Sequence, residues 1–172
     1  MRTVKRGERQ LVRFTLNGEQ VEGLAEPRML LTDFLRHEIG AMGTHVGCEH
    51  GICGACTIRL EGKAVRACLM FAVQVDGKSV VTIEGLADKN GELSPLQAAF
   101  HRNFALQCGY CTPGFLLTLA DYLERNPDAQ ESDIRTALSG NLCRCTDYSE
   151  IVNAALEAAR EIRSGKSVAQ EN

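Results

Sequence analysis

The sequence lacks the long apolar runs that would carry a protein into or across a membrane. Its uninterrupted apolar runs, residues 115–117 among them, are far too short to span a bilayer. The N-terminus, residues 1–6, is basic, but no apolar segment of the signal-peptide kind follows it. We therefore expect no membrane span and no signal peptide, and we expect the protein to be cytoplasmic.

The sequence also lacks an excess of basic charge. Its 19 Lys and Arg residues stand against 22 Asp and Glu residues, which gives a formal net charge of −3. A general nucleic-acid binder carries a basic patch or stripe, so nucleic acid is not an expected partner. Neither the Gly-x-Gly-x-x-Gly fingerprint nor the P-loop occurs in the sequence, so no dinucleotide is expected to bind by those routes.

The overall composition is that of an ordinary globular protein. The chain has 172 residues, of which 44% are hydrophobic and 24% are charged. This length predicts one large domain or two small ones.

The eight cysteines form two groups of four, with none left over. Their density is below that of a disulfide scaffold, and in a reducing compartment such cysteines are more often metal ligands or catalytic groups. Four thiolates are the ligand set of one iron–sulfur cluster or of one structural zinc ion. The first group is Cys48, Cys53, Cys56 and Cys68, spaced C-x4-C-x2-C-x11-C, and the second is Cys108, Cys111, Cys143 and Cys145, spaced C-x2-C-x31-C-x-C.

The spacing of the first group favours a [2Fe–2S] cluster. C-x4-C-x2-C with a distant fourth cysteine is the plant-type arrangement, whereas zinc ribbons use two C-x2-C knuckles. Three glycines, Gly47, Gly51 and Gly54, interleave with the ligands. They let the backbone turn tightly and bring its N–H groups close to an anionic cluster. A disulfide framework and a pair of zinc sites remain as alternatives.

The four histidines offer no competing set of ligands. A Rieske centre needs two histidine ligands, and Cys48-Glu49-His50 supplies only half of such a motif. We interpret His50 as a solvated loop residue, and His37, His45 and His101 as structural or exposed residues.

The first half of the chain is patterned as short strands with one helix, which predicts a small α+β domain over residues 1–84. Turns are predicted at Asn17-Gly18, in a hairpin, and at Glu61-Gly62, and the helix is predicted to end at Gly40. Residues 71–75 are ambiguous between strand and helix. The strands are predicted at residues 11–16, 19–22, 57–60, 63–65 and 79–83, and the helix at residues 29–38.

The second half is patterned as four short helices around one apolar centre, which predicts a bundle over residues 94–163. Ser94-Pro95 and Thr112-Pro113 are helix-start signals, and Ser149 is predicted to cap the last helix. The helix that starts at Pro113 would direct its positive N-terminus toward a bound anion. The helices are predicted to end near residues 106, 125, 139 and 163, after a polar connector at residues 84–93 and before a disordered tail at residues 164–172.

Three sequence motifs together resemble the small iron–sulfur subunit of the molybdenum hydroxylases, the xanthine dehydrogenase and carbon monoxide dehydrogenase family. They are GCEHGICGACT at residues 47–57, QCGYCTPG at residues 107–114 and SGNLCRCTDY at residues 139–148. The resemblance covers residues 11–163. It implies an N-terminal β-grasp, plant-type ferredoxin domain and a C-terminal four-helix-bundle domain, each with one [2Fe–2S] cluster.

The resemblance also implies partner subunits. A large subunit would hold a molybdopterin cofactor, in its cytosine dinucleotide form, and a medium subunit would hold FAD, in a heterotrimer or a dimer of heterotrimers. This chain would then be the electron-transfer subunit of an oxidoreductase, with no catalytic residue of its own. Gln107 is implied to contact the pterin, with Cys145 in the same region. The main alternative is a free-standing ferredoxin-like carrier, and a third is a zinc-stabilised structural protein.

The resemblance implies an order of electron flow from molybdenum to the second cysteine group, then to the first, then to flavin. The residues add an expectation of their own, because Leu106, Tyr110 and Phe115 frame the second group and favour its burial. The first loop, with Glu49 and His50 at its tip, is expected to be exposed. One position departs from the family pattern, since Asp147 stands where glycine is usual. If that position takes a positive φ, aspartate is among the less costly replacements.

Two complete ligand sets predict two [2Fe–2S] clusters, so iron and acid-labile sulfide should each come to about four per chain. Because each set lies in its own domain, Cys143→Ser should remove one cluster and leave the other largely intact. Metal and sulfide analysis of the purified protein measures both. Stoichiometric zinc without sulfide would contradict the prediction.

Overall fold

The computed structural model describes residues 7–88 and 90–165. The first half carries a five-stranded sheet and the second half carries most of the helices, which makes the chain a mixed α+β protein. Residues 166–172 of the predicted disordered tail, like residues 1–6, lie outside the described residues. Ser164 and Gly165 form a turn at the end of the last helix, where the Ser164 N–H donates to the Arg160 carbonyl at 3.2 Å.

The sheet has the strand order β2-β1-β5-β3-β4. β1 and β5 pair in parallel, while the other neighbours are antiparallel. Both predicted hairpins form, because Asn17-Gly18 and Glu61-Gly62 adopt positive φ at both positions, as a tight two-residue turn requires. The strands are β1 (Gln10–Leu16), β2 (Glu19–Ala25), β3 (Thr57–Leu60), β4 (Lys63–Arg66) and β5 (Ser79–Val81).

The first half has a core of its own between the sheet and one helical segment. Val12, Phe14 and Leu16 alternate along β1 and are buried, as expected for a strand with one face on the core. The predicted helix forms as α1 (Leu31–Asp33), which continues as a π-helical turn (Phe34–Ile39) and ends at Gly40 with a φ of 87°. The ambiguous segment is a short 3-10 helix (Ala72–Val75).

The second half contains α2 (Pro95–Arg102), α3 (Thr112–Arg125), α4 (Glu131–Ala137) and α5 (Ser149–Arg163). Their apolar faces form a second buried core. Leu86 is fully buried in that core, so the segment predicted as a polar connector supplies one of its members.

Two helix ends differ from the prediction. α2 ends at Arg102 rather than near residue 106, because Asn103 bonds the Ala99 carbonyl through its side chain and Phe104 turns to a φ of 52°. α5 is not capped by Ser149, which is its first helical residue. Instead, the Asp147 carboxylate accepts the Ser149 N–H at 3.0 Å.

Polar contacts join the two cores where α3 packs on β3 and β4. Arg59 of β3 donates to both carboxylate oxygens of Glu124, with 2.9 Å from Nη1 to Oε1. Arg59 also donates to the Gly62 carbonyl, and its side chain is only 10% exposed. The Ala64 N–H donates to the Asp121 carboxylate at 3.1 Å. These contacts hold the helical half against one end of the sheet.

No helix in the described parts of the chain has the length and apolar character needed to cross a bilayer.

The Arg59 contact predicts a measurable contribution to stability. Arg59→Ala removes a nearly buried, bidentate cation and should lower the free energy of unfolding by about 1–3 kcal/mol. The matched control is Arg135→Ala, which breaks an exposed pair with Glu131 on α4 and should cost less than about 0.5 kcal/mol. Urea unfolding of the cluster-containing protein measures both changes. Equal losses in the two variants would contradict the prediction.

Candidate metal centres

Strand register brings the first group of cysteines together. Cys48 and Cys53 lie in the loop that leads into β3, and Cys56 directly precedes that strand. Cys68 lies in a 3-10 turn (Ala67–Leu69) directly after β4. Because β3 and β4 pair as a hairpin, the Ala67 N–H donates to the Cys56 carbonyl at 3.2 Å, which places Cys68 beside Cys56.

The first four thiols interact as two neighbouring pairs. Hydrogen bonds from the backbone N–H groups of Cys53 and His50, at 3.4 and 3.3 Å from the Cys48 sulfur, lower the pKa of Cys48 to about 6. Burial and the adjacent Cys48 thiol help to raise the pKa of Cys53. Burial, together with the neighbouring Cys68 thiol, raises the pKa of Cys56 to about 12. Cys53 also acts electrostatically on Cys56, so the two pairs adjoin.

The loop between Cys48 and Cys56 approaches the thiols closely. A Cβ atom on Gly47 would lie 2.9 Å from the Cys53 sulfur, so a side chain there would need the sulfur to move. This contact explains why glycine occupies position 47, and it agrees with the expectation that the loop backbone lies close to the thiols. His50 points back into its own loop, where its Nδ1 bonds the Cys48 carbonyl.

The second group also forms two pairs, from two separate loops. Cys108 and Cys111 lie between α2 and α3, and Cys143 and Cys145 lie between α4 and α5. Burial and the neighbouring Cys143 thiol raise the pKa of Cys111 to about 12. A hydrogen bond with the Cys108 thiol raises the pKa of Cys145. Cys111 occupies the N-cap of α3, so the N-terminus of that helix is directed toward this group, as predicted.

Thr146 makes the environment of Cys143 unlike that of the other thiols. Its hydroxyl lies 3.1 Å from the Cys143 sulfur, and its N–H lies 3.4 Å from the same atom. Burial opposes ionisation of this thiol, but the hydrogen bonds from Thr146, together with those from the Cys145 backbone and the Cys111 thiol, outweigh burial and lower the pKa of Cys143. Sequence spacing gave no indication of this role.

The pairing of the thiols fits a two-iron cluster better than a single zinc ion. In a [2Fe–2S] cluster four cysteines are shared between two irons, whereas structural zinc needs all four ligands around one position.

Tyr148 shapes the second loop in a way that the sequence did not predict. Its hydroxyl accepts the Cys143 N–H at 2.9 Å and donates to the Asn141 carbonyl at 3.3 Å. Tyr148 takes a φ of 74°, so the left-handed residue is Tyr148 and not Asp147. The hydrogen bond from the Ser149 N–H lowers the pKa of Asp147, which serves as the capping group of α5.

The expected burial of the second group is wrong for this chain. Cys108 and Cys145 are exposed, as is Gln107, whereas Cys56 and Cys68 of the first group are buried. Of the three framing residues only Phe115 is buried. Large side chains that flank these cysteines are exposed on this chain, although Tyr110 also donates its hydroxyl to the Val46 carbonyl at 2.8 Å. We call them the apolar rim: Phe104 (82% exposed), Leu106 (43%), Tyr110 (50%) and Leu142 (51%).

Comparisons with known proteins agree with this arrangement. Residues 14–85 match a family described as a 2Fe-2S iron-sulfur cluster binding domain, and residues 82–156 match a [2Fe-2S] binding domain. The chain is 48% identical to the gamma subunit of caffeine dehydrogenase from Pseudomonas sp. (strain CBB1), over 91% of this chain and 95% of that one. It is also 48% identical to the small subunit of nicotine 6-hydroxylase from Paenarthrobacter nicotinovorans, over 94% and 97%.

A solved structure gives the same result. A chain of quinoline 2-oxidoreductase from Pseudomonas putida 86 superposes with a TM-score of 0.88 at 42% sequence identity. The match covers 93% of this chain and 99% of that one.

The Thr146 contact predicts a lower reduction potential for the second cluster in Thr146→Val. A hydrogen bond to a thiolate stabilises the more negative, reduced cluster, so its loss disfavours reduction. A loss of about 1 kcal/mol corresponds to roughly 40 mV for a one-electron couple. EPR-monitored redox titration measures the shift. In the control Thr136→Val, which removes a hydroxyl bonded to the Ser132 carbonyl on α4, the potential should not change.

Proposed function

This chain belongs to the family of small iron–sulfur subunits of molybdenum-containing oxidoreductases, and we infer that it passes electrons from a partner's molybdopterin centre toward a flavin or another acceptor. The substrate-reacting centre then lies in a partner, and this chain supplies no catalytic residue. The observation that carries the inference is the presence of two complete sets of paired thiols in one chain.

The eight cysteines are the proposed ligands of two [2Fe–2S] clusters. Each cluster, when bound, supplies one-electron oxidation and reduction. The pairing favours an arrangement in which Cys48 and Cys53 would hold one iron and Cys56 and Cys68 the other. In the second group, Cys108 and Cys145 would hold one iron and Cys111 and Cys143 the other.

The protein's own contribution is to set the surroundings of these thiols. Backbone N–H groups of His50 and Cys53 donate to the Cys48 sulfur, and the α3 N-terminus faces the second group. Donors of this kind stabilise negative charge, so they favour the reduced state of a bound cluster.

The apolar rim is the proposed contact with the large molybdopterin subunit. Exposed aromatic and aliphatic side chains next to a functional site are typical of a protein interface, and aromatic residues often anchor such interfaces. Gln107 lies within this stretch and is exposed, as a residue that contacts a pterin in a partner must be. The second cysteine group then faces molybdenum and the first faces the flavin.

The finer assignments are part of the same proposal. Residues 1–84 form a β-grasp ferredoxin domain and residues 94–163 form a helical cluster-binding domain. The partners are a large subunit with a molybdopterin cytosine dinucleotide and a medium subunit with FAD. The assembly is a heterotrimer or a dimer of heterotrimers in the cytoplasm.

The apolar rim provides the test of this function. Tagged chain, co-expressed with its genomic neighbours, should purify with a molybdenum-containing subunit. Phe104→Asp should weaken that association at least tenfold while leaving iron content unchanged, because an interface anchor contributes about 2 kcal/mol or more.

The matched control is Leu24→Asp. Leu24 is also an exposed apolar residue, but it lies on β2, at the sheet edge farthest from the strands that pack on α3. Its replacement should leave the association unchanged. Purification of the unaltered chain alone, with both clusters and full electron-carrier activity, would instead support a free-standing carrier.

A further inference from the structure

The two cysteine groups meet through backbone atoms of their loops. Leu142, which precedes Cys143, donates its N–H to the Cys53 carbonyl at 2.9 Å. The residue after Cys53 is Gly54, and a Cβ atom on Gly114 of α3 would lie 2.2 Å from the Gly54 carbonyl oxygen. The Cys53–Gly54 turn is therefore held between the start of α3 and the loop that carries Cys143.

Glycine is required on both sides of this contact. Gly54 has a φ of 74°, and a Cβ atom on it would lie 2.6 Å from the Asn141 side chain and 2.6 Å from the Gly140 carbonyl. Such distances are shorter than any van der Waals contact. The two loops therefore approach as closely as backbone atoms permit.

Asn141 is the buried polar centre of this contact. It is 1% exposed, and its amide is hydrogen-bonded to three different parts of the fold. Its Oδ1 accepts from Thr118 of α3 at 3.1 Å and from Arg66 of β4 at 3.3 Å. Its Nδ2 donates to the Gly54 carbonyl at 3.4 Å. A buried amide with all these partners has one favourable orientation, which makes the junction specific.

Arg66 links the Asn141 contact to the part of the first loop that carries Cys56. It donates to the Gly140 carbonyl at 2.7 Å and to the Thr57 hydroxyl. Thr57 follows Cys56 and donates its hydroxyl to the Gly54 carbonyl at 2.6 Å. Arg66 and Asn141 thus connect the turn between Cys53 and Cys56 with the turn that leads into Cys143.

We propose that Asn141 and Arg66 are positioning residues that fix the spacing of the two clusters by holding their loops together. The proposal rests on the proposed function, in which both cysteine groups hold clusters. Electron exchange between two centres falls steeply with their separation, so a rigid junction between the loops keeps the exchange fast. Neither residue touches a thiol through a hydrogen bond that the structure records, so their effect is on spacing.

The test is the spin–spin interaction between the two reduced clusters in the complete protein with its partner subunits. This interaction decreases with the cube of the distance and is measured by low-temperature EPR. Asn141→Leu keeps the branching and the number of side-chain heavy atoms but removes the amide hydrogen bonds, and Arg66→Met removes the guanidinium. Each variant should retain iron and both cluster signals, and should lose or broaden the interaction. Asn153→Leu, on the exposed face of α5, is the matched control and should match the unaltered protein.

Each other outcome is decisive. If both variants kept two clusters with an unchanged spin–spin interaction, the proposed positioning role would be overturned while the proposed function would stand. Loss of only the second cluster would show that these residues shape the Cys143 loop. Loss of both clusters would show that the protein needs these residues to fold. Either result would also overturn the proposed positioning role. Absence of two cluster signals in the unaltered protein would contradict the proposed function, and this inference with it.

Discussion

The close approach of Gly54 and Gly114 is the constraint on which the rest of this arrangement depends. Each half of the chain has its own hydrophobic core, so burial of apolar area alone does not fix how the halves meet. A Cβ atom on Gly114 would lie 2.2 Å from the Gly54 oxygen, so the contact forms only between backbone atoms. When this backbone contact forms, the loops of both cysteine groups lie side by side. The polar side chains of Asn141 and Arg59 are then within hydrogen-bonding distance of their partners.

The second requirement is to stabilise the negative charge of a bound cluster, and the two halves of the chain do this with different hydrogen-bond donors. In the first group, N–H donors from a turning loop reach Cys48. In the second group, a helix N-terminus at Cys111 and a threonine hydroxyl at Cys143 provide the donors. None of the hydrogen-bond donors that the structure records to these sulfurs is a basic side chain. Both sets of donors can nevertheless stabilise an anionic centre. A cluster in either site is therefore stabilised mainly by oriented dipoles.

The sequence predicted the features that depend on local patterns. The short C-x4-C-x2-C, C-x2-C and C-x-C spacings, the Asn17-Gly18 and Glu61-Gly62 turns, and the start signals at Ser94 and Pro113 each act within a few residues. The missed features depend on contacts between distant residues. Asn103 at the end of α2 also bonds the Glu157 carboxylate on α5, and the Tyr148 ring packs against Phe115 of α3. The buried amide of Asn141 bonds Thr118, Arg66 and Gly54 from three other elements, and no local pattern encodes any of these contacts. The exposure of the second group was mispredicted because apolar neighbours indicate burial equally well in a core and in an interface.

Backbone strain supports the interface interpretation of those apolar neighbours. Among the residues that the structure describes, two aromatic residues, Phe104 and Tyr148, adopt a left-handed backbone, which costs roughly 1–2 kcal/mol each. For Tyr148 the cost is offset inside the chain, because its hydroxyl bonds the second cysteine loop and its ring packs edge-on against Phe115 at 5.9 Å. Phe104 is 82% exposed, so burial within this chain offsets little of its strain. Binding a partner over that ring would bury it, which makes Phe104 the position where strain and exposure together favour association.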